Sequence, residues 1–303
     1  MARSFHVLDV FTDRPLEGNP LAVVLDAEGL DDAAMLAITR EFNLSETVFV
    51  LPPDDPVNSA KIRIFTPGGE LPFAGHPTVG TAALLAELRA PSHIANGVII
   101  ALEEKIGLIH VEVQRRRGGV PRAVFALPKL SENLNIDLDP VLVAKALGLD
   151  PLDFGFGAHG LSVWSAGVPY SMVPVKDLAT IARARVADRE AWHAAFAKAG
   201  REGVFIYTRE TVKPENHVHA RMFWPAAGVP EDPATGSAVA AFSGVAATCE
   251  LPEDGTHQLI IEQGFEMGRP SLIALDLDVR AGRLVGAAIG GSAVRISEGK
   301  LYV

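Results

Sequence analysis

The chain of 303 residues has one cysteine, Cys249, which excludes an internal disulfide and a thiolate cage around a metal. Positive charge is scarce as well: 27 Lys and Arg stand against 37 Asp and Glu, for a net charge of −10. Without a long basic block, neither nucleic acid nor an anionic membrane is expected as a partner. The short run Arg115-Arg116-Arg117 precedes two glycines and reads as a solvated hairpin turn. Long apolar runs are missing too. The longest stretch free of Asp, Glu, Lys and Arg, Phe154 to Val175, approaches the roughly 20 residues of a membrane span. Glycines, serines, His159, Pro169 and Pro174 break it into loops and strands. The opening MARSFHVLDVF goes straight into an alternating strand and lacks the apolar centre of a signal peptide, so the cytoplasm is the expected compartment.

The standard nucleotide and hydrolase signatures are absent or misplaced. The G-x-G-x-x-G match at Gly155 to Gly160 follows a helix end and leads into strand-like LSVW, the reverse of a dinucleotide site. No G-K-[ST] or G-x-S-x-G is present, and no cofactor is expected. His217 and His219 would share one strand face, with Glu215 continuing the alternation, a spacing that can bind metal. Glu215, however, lies in turn-like KPEN, and the pair reads as surface or core histidines with no metal.

What is present is an ordinary globular mixture, 48% hydrophobic and 21% charged, in a chain long enough for two domains. Lys61 to Glu87 reads as a strand, a turn dense in Gly and Pro, and a helix opening near Pro77. Arg221 to Phe242 repeats that plan. HPTVGTA from His76 aligns with DPATGSA from Asp232, and GNPLAVV from Gly18 echoes GVPYSMV from Gly167. The expectation is a duplicated fold with one helix mouth per half. Polar KLSENLNIDL marks the boundary, which gives domains at 1–128 and 129–284, with strands from about 285 to 303 returning to the first. Helices are expected at Asp31 to Phe42, from Asp139-Pro140 to Leu149, at Lys176 to Arg183 and at Ala187 to Lys198.

Acid–base chemistry is what remains. His76 and Asp232 each precede a proline at a helix mouth, and Glu46 begins an apolar strand in NLSETVFV. A carboxyl half-buried there would resist ionisation and suit proton shuttling. Each residue also has a structural reading: Glu46 as an edge charge, His76 as a satisfied turn histidine, Asp232 as an N-cap. Ser237 in TGSA reads as a cap or anion ligand ahead of a nucleophile.

EGNPLAVV, NLSETVFV, IRIFTPGGELPFAGHPTVGTA, EDPATGSA, EQGFEMGRPS and the C-terminal EGKLYV cover nearly the whole chain. On these segments it resembles the PhzF-like isomerases of phenazine biosynthesis, within the diaminopimelate-epimerase-like fold. The resemblance implies an α/β (α+β) protein of two similar domains, each a mixed sheet curled around a central helix, with the active site in the cleft between them. It also implies a cofactor-free enzyme acting on a small carboxylate substrate, usually as a homodimer. Glu46 would be the acid–base; His76 and Asp232 would assist proton traffic or hold substrate. Asn19, Ser45, Gly75, Thr235, Gly236 and Ser237 would bind it. The fold's two-thiol epimerases need a cysteine at each mouth, and this chain has none there. The expected reaction is a proton shift catalysed by one carboxylic acid. An isomerase of another small acid, or a non-catalytic binding protein, remains an alternative.

Overall fold

The computed structural model describes residues 2–250 and 252–303. The chain divides into two compact units, one running to Ala126 and including Gly290–Val303, the other Leu127–Ile289.

In the first unit, β1 (Ala2–Val10) is antiparallel to β2 (Asn19–Val24), and helix α1 (Asp32–Phe42) connects β2 to its parallel neighbour β3 (Glu46–Leu51). β4 (Ala60–Thr66) runs antiparallel to β3 and folds back through β5 (Gly69–Leu71) into helix α2 (Gly75–Arg89). Beside β4 lies parallel β6 (Val98–Glu104), followed by antiparallel β7 (Gly107–Arg115) and β8 (Pro121–Ala126). Residues 293–302 flank β1 antiparallel. Period-two alternation shows in β7, where Ile109, Val111 and Val113 are buried and His110, Glu112 and Gln114 are exposed.

This mixed sheet curls around α2, which touches β1, β2, β3, β6, β7 and β8. Every residue of α2 from Gly75 to Ala86 is buried, so the helix has no polar stripe and can exist only inside a sheet. Gly80 permits the closest approach: a Cβ there would lie 2.7 Å from both Leu21 Cδ2 and Val10 Cγ2. Those side chains are fully buried and cannot retreat. Gly80→Ala is therefore expected to cost about 1–3 kcal/mol despite alanine's better helix propensity. A denaturant titration checks this as a lowered midpoint.

The second unit has short β9 (Glu132–Asn133), helix α3 (Pro140–Leu147), antiparallel β10 (Ser162–Ser165) and β11 (Pro169–Pro174), and helices α4 (Leu178–Arg183) and α5 (Arg189–Phe196). Then come β12 (Val204–Thr208), β13 (Val218–Trp224), β14 (Val229–Asp232), helix α6 (Gly236–Cys249), β15 (Gly255–Gln263), β16 (Ser271–Arg280) and β17 (Arg283–Tyr302), whose residues from Gly290 onward belong to the first unit. β12 is parallel to β11 and antiparallel to β13; β13 pairs with β14 and lies parallel to β15; β15 pairs antiparallel with β16. This is the pairing order of β1 to β7 over again. The central helix is α6, buried at Gly236 and from Ala238 to Ala246.

Outer and central helices start differently. Asp31, Asp139, Asp177 and Asp188 each cap an outer helix by accepting from a backbone N–H of its first turn. α2 begins at Gly75 behind Ala74, two residues before the expected Pro77, and α6 begins at Gly236 behind Thr235. Neither has a side-chain cap. Asp232 lies in β14 and is no N-cap.

The register of the repeat also differs from the alignment of HPTVGTA with DPATGSA. Ile64 pairs with Leu71 and Met222 with Asp232, and the helices then start at Gly75 and Gly236. Hence Leu71 corresponds to Asp232, Pro72 to Pro233 and His76 to Ser237. A tertiary contact fixes this match. Arg63 Nε and Nη2 donate to Glu70 at 2.8 and 2.9 Å, and Arg221 Nε and Nη2 donate to Glu231 at 2.7 and 2.9 Å. Each guanidinium also covers the phenylalanine two residues on, Phe65 or Phe223. The shared pattern is Glu-x-Pro-x-x-Gly; the H/D-P match is a coincidence of two prolines.

Candidate functional site

In the first unit three candidates converge. Parallel pairing of β2 with β3 sets Leu21 opposite Glu46, so Asn19 and Glu46 lie near adjacent strand beginnings. The first turn of α2 brings His76 to them. Its Nε2 is 3.4 Å from Glu46 Oε2, and its Nδ1 is 3.4 Å from Asn19 Nδ2. Asn19 is fully buried, His76 is 4% exposed, and the Glu46 side chain keeps 16% of its surface, so Glu46 is the least buried of the three although its Oε2 is covered.

Burial pushes the His76 imidazole down to about 3, which keeps the ring neutral at ordinary pH. With Asn19 Nδ2 donating to Nδ1, the ring proton belongs on Nε2 and faces Glu46. At 3.4 Å this contact is long, as contacts between catalytic groups often are before substrate binds. The arrangement offers a carboxylate beside a neutral N–H donor, and the α2 mouth adds backbone donors behind it. Ser45 precedes Glu46 and is half-buried; Gly75 is the buried first residue of α2.

The second unit forms its own polar cluster. Thr235 Oγ1 donates to Asp232 Oδ2 at 2.5 Å. Gln263, fully buried at the end of β15, donates through Nε2 to Asp232 O and Thr235 Oγ1 at 2.7 and 3.0 Å, and its Oε1 accepts from Thr235 N. The strand-to-helix turn is thereby held from behind, with the Asp232 carboxylate tied to Thr235. Ser237 Oγ lies 2.7 Å from Tyr170 Oη, so its hydroxyl has a phenol partner. Gly236 opens α6 between these groups.

Tyr170, Gln263 and Thr78 are polar groups at the mouths that residue types alone did not single out. Tyr170 and Gln263 sit in the quoted GVPYSMV and EQGFEMGRPS segments, yet only folding shows what each side chain touches. His219 faces away from any metal role. Its Nδ1 is 2.9 Å from Glu262 and its Nε2 3.0 Å from Glu266, while His217 Nδ1 accepts from Ile260 N. Among the described residues no group of three His, Cys, Asp or Glu side chains is arranged to hold a metal ion. The Gly155–Gly160 segment is a loop. Cys249 ends α6, with Sγ near Ala158 O, and burial pushes its thiol up. Among the described residues no helix is long and apolar enough to cross a membrane.

Comparison with known proteins gives one consistent answer. An uncharacterized isomerase of Mesorhizobium japonicum is 51% identical over 99% of both chains. The trans-2,3-dihydro-3-hydroxyanthranilate isomerase of Pseudomonas chlororaphis is 35% identical over 98% of each. The crystal structure of a Bacillus anthracis phenazine biosynthesis protein of the PhzF family covers all of both chains with a TM-score of 0.88 at 28% identity. The family model described as phenazine biosynthesis-like protein, PhzC-PhzF, matches residues 8–299, and the chain belongs to that family.

Proposed function

We propose that this protein is an isomerase that moves a proton within a small unsaturated or cyclic carboxylic acid, with Glu46 as acid and base. The observation that carries the reading is the Glu46–His76–Asn19 grouping, in which a carboxylate on the least buried side chain lies beside a neutral buried imidazole. Glu46 takes a proton from an activated carbon of the substrate. The electron pair left behind delocalises into the double bond and the acid, and Glu46 returns the proton to another carbon on the same face. One C–H bond breaks, another forms and the double bond shifts, so no oxidant, thiol or coenzyme enters the balance.

His76 Nε2–H steadies the Glu46 carboxylate or a developing negative charge, and Asn19 keeps that proton on Nε2. Ser45 and the Gly75 N–H bind polar substrate groups; each well-aimed donor to the developing charge lowers the barrier by roughly 3 kcal/mol. Asp232, Thr235, Gly236 and Ser237 are the second unit's candidates for holding amino, hydroxyl or carboxylate groups, and a homodimer in the cytoplasm is the proposed working form.

The first substrate to try is trans-2,3-dihydro-3-hydroxyanthranilate, on which the Pseudomonas chlororaphis relative acts by name. Incubation in heavy water is expected to place deuterium at the carbon that receives the proton, with the absorbance of the shifted double bond. A panel of other small unsaturated acids covers the second reading, a different substrate, favoured by the higher identity to an isomerase without a stated one. Binding without turnover or exchange across that panel would make the protein a ligand-binding scaffold.

A further inference from the structure

The two units carry the same support beneath their central helices. Glu103 accepts from Asp54 N, Asp55 N and Asn58 Nδ2, and Glu262 accepts from Val212 N, Lys213 N and Asn216 Nδ2. Strand register agrees: Lys61 pairs with Glu103 as His219 pairs with Glu262, each between parallel strands. The next residue, Glu104 in one unit and Gln263 in the other, is therefore the same position of the repeat. Both side chains are buried and both reach a threonine at the helix start.

Gln263 satisfies its turn with an N–H donor. Glu104 occupies the equivalent place with a carboxyl. Its Oε1 is 2.7 Å from Thr78 Oγ1, which is itself 2.8 Å from Ala74 O, the residue before α2. Thr78 has one hydroxyl proton. If it goes to Ala74 O, as a carbonyl requires, the proton between Thr78 and Glu104 must come from Glu104. Glu104 Oε2 has no hydrogen-bond partner among the described residues, a poor setting for an ionised oxygen.

The charged groups lining the cavity next to Glu104 are committed to one another. Lys61 pairs with Asp54, Arg63 and Lys105 with Glu70, and Glu103 with backbone donors. His76, on the helix that Thr78 belongs to, is neutral.

We propose that Glu104 is a positioning residue that works as a neutral carboxylic acid, donating through Thr78 to fix the start of α2 and hence His76. The proposal rests on the reading of Glu46 and His76 as the reacting site. Burial pushes the Glu104 carboxyl up to about 8, against the opposing bond from Thr78. In the unfolded chain it ionises near its ordinary value, so the folded state holds an extra proton between about 4.5 and 8 and loses stability as pH rises through that window.

The test compares Glu104→Gln with Glu104→Ala. Glutamine mimics the neutral acid and is expected to keep turnover within about 3-fold of wild type. It should also reduce the fall in unfolding free energy between pH 5 and 8, leaving the part above 6.5 that belongs to His219. Alanine is expected to lower kcat about 10- to 100-fold through misplacement of His76. Infrared spectroscopy at pH 6 should show a protonated-carboxyl band that Glu104→Gln removes; this needs neither substrate nor an active enzyme. A Glu104→Gln protein as slow as the alanine variant, or no such band at pH 6, overturns the proposal. An active Glu46→Gln enzyme would instead overturn the functional reading and leave the infrared answer standing.

Discussion

Glu46→Gln is expected to leave a protein that unfolds at the wild-type temperature and turns over about 10² to 10⁴ times more slowly. The stability half of this follows from position. Glu46 begins β3 with part of its side chain in solvent, and glutamine keeps its volume and an oxygen acceptor toward His76 Nε2. No buried charge is stranded, because the neighbouring imidazole is neutral. The catalytic half follows from chemistry, since an amide neither accepts nor returns a proton at ordinary pH. His76, held near 3, is too weak a base to replace it. Loss should therefore appear in kcat, with substrate affinity nearly unchanged. Paired thermal unfolding and steady-state kinetics settle the matter, and a variant that unfolds normally and keeps its rate removes Glu46 from the centre of the mechanism.

Glu262→Ala is expected to give the largest loss of stability, about 3–5 kcal/mol. Glu262 is fully buried and satisfies four donors at once: Val212 N, Lys213 N, Asn216 Nδ2 and His219. Truncation strands the three amide donors and leaves the buried His219 imidazolium with Glu266 as its remaining carboxylate partner. Burial works against charge on His219, but its bonds to Glu262 and Glu266 outweigh that and hold it at about 9. A folded value above the unfolded 6.5 means the contribution is complete below about 6.5 and is lost as pH rises through 9. Wild-type unfolding free energy should thus decline over that range, and the decline should shrink in Glu262→Ala. Chemical denaturation at pH 6 and pH 9 measures both effects. A loss below 1 kcal/mol at pH 6 would show the network to be dispensable.

The same network shows where residue types stop being informative. His217 and His219 at alternating positions fit a metal pair as well as a structural one, and the deciding partners, Glu262 in β15 and Glu266 in the turn after it, come some forty residues on. The repeat shows a subtler limit. GNPLAVV and GVPYSMV pick out strands β2 and β11, which occupy matching places in the two units. HPTVGTA against DPATGSA does not, because proline and glycine recur densely there and several offsets fit. Arg63–Glu70 and Arg221–Glu231 choose the correct offset, and that choice moves the counterpart of His76 from Asp232 to Ser237.

Local sequence determined the strands, the aspartate-capped outer helices, the buried character of the central ones, and through its motifs the family. It also ruled out thiol pairs and disulfides by count. Tertiary structure alone decided that Asn19, Glu46 and His76 meet, that Gln263 fastens the turn between Asp232 and Thr235, and that Glu104 stands beneath the first mouth. Periodicity and capping are written within a few residues of one another, whereas proton positions depend on which buried groups share a hydrogen bond, and those groups come from strands far apart in the chain.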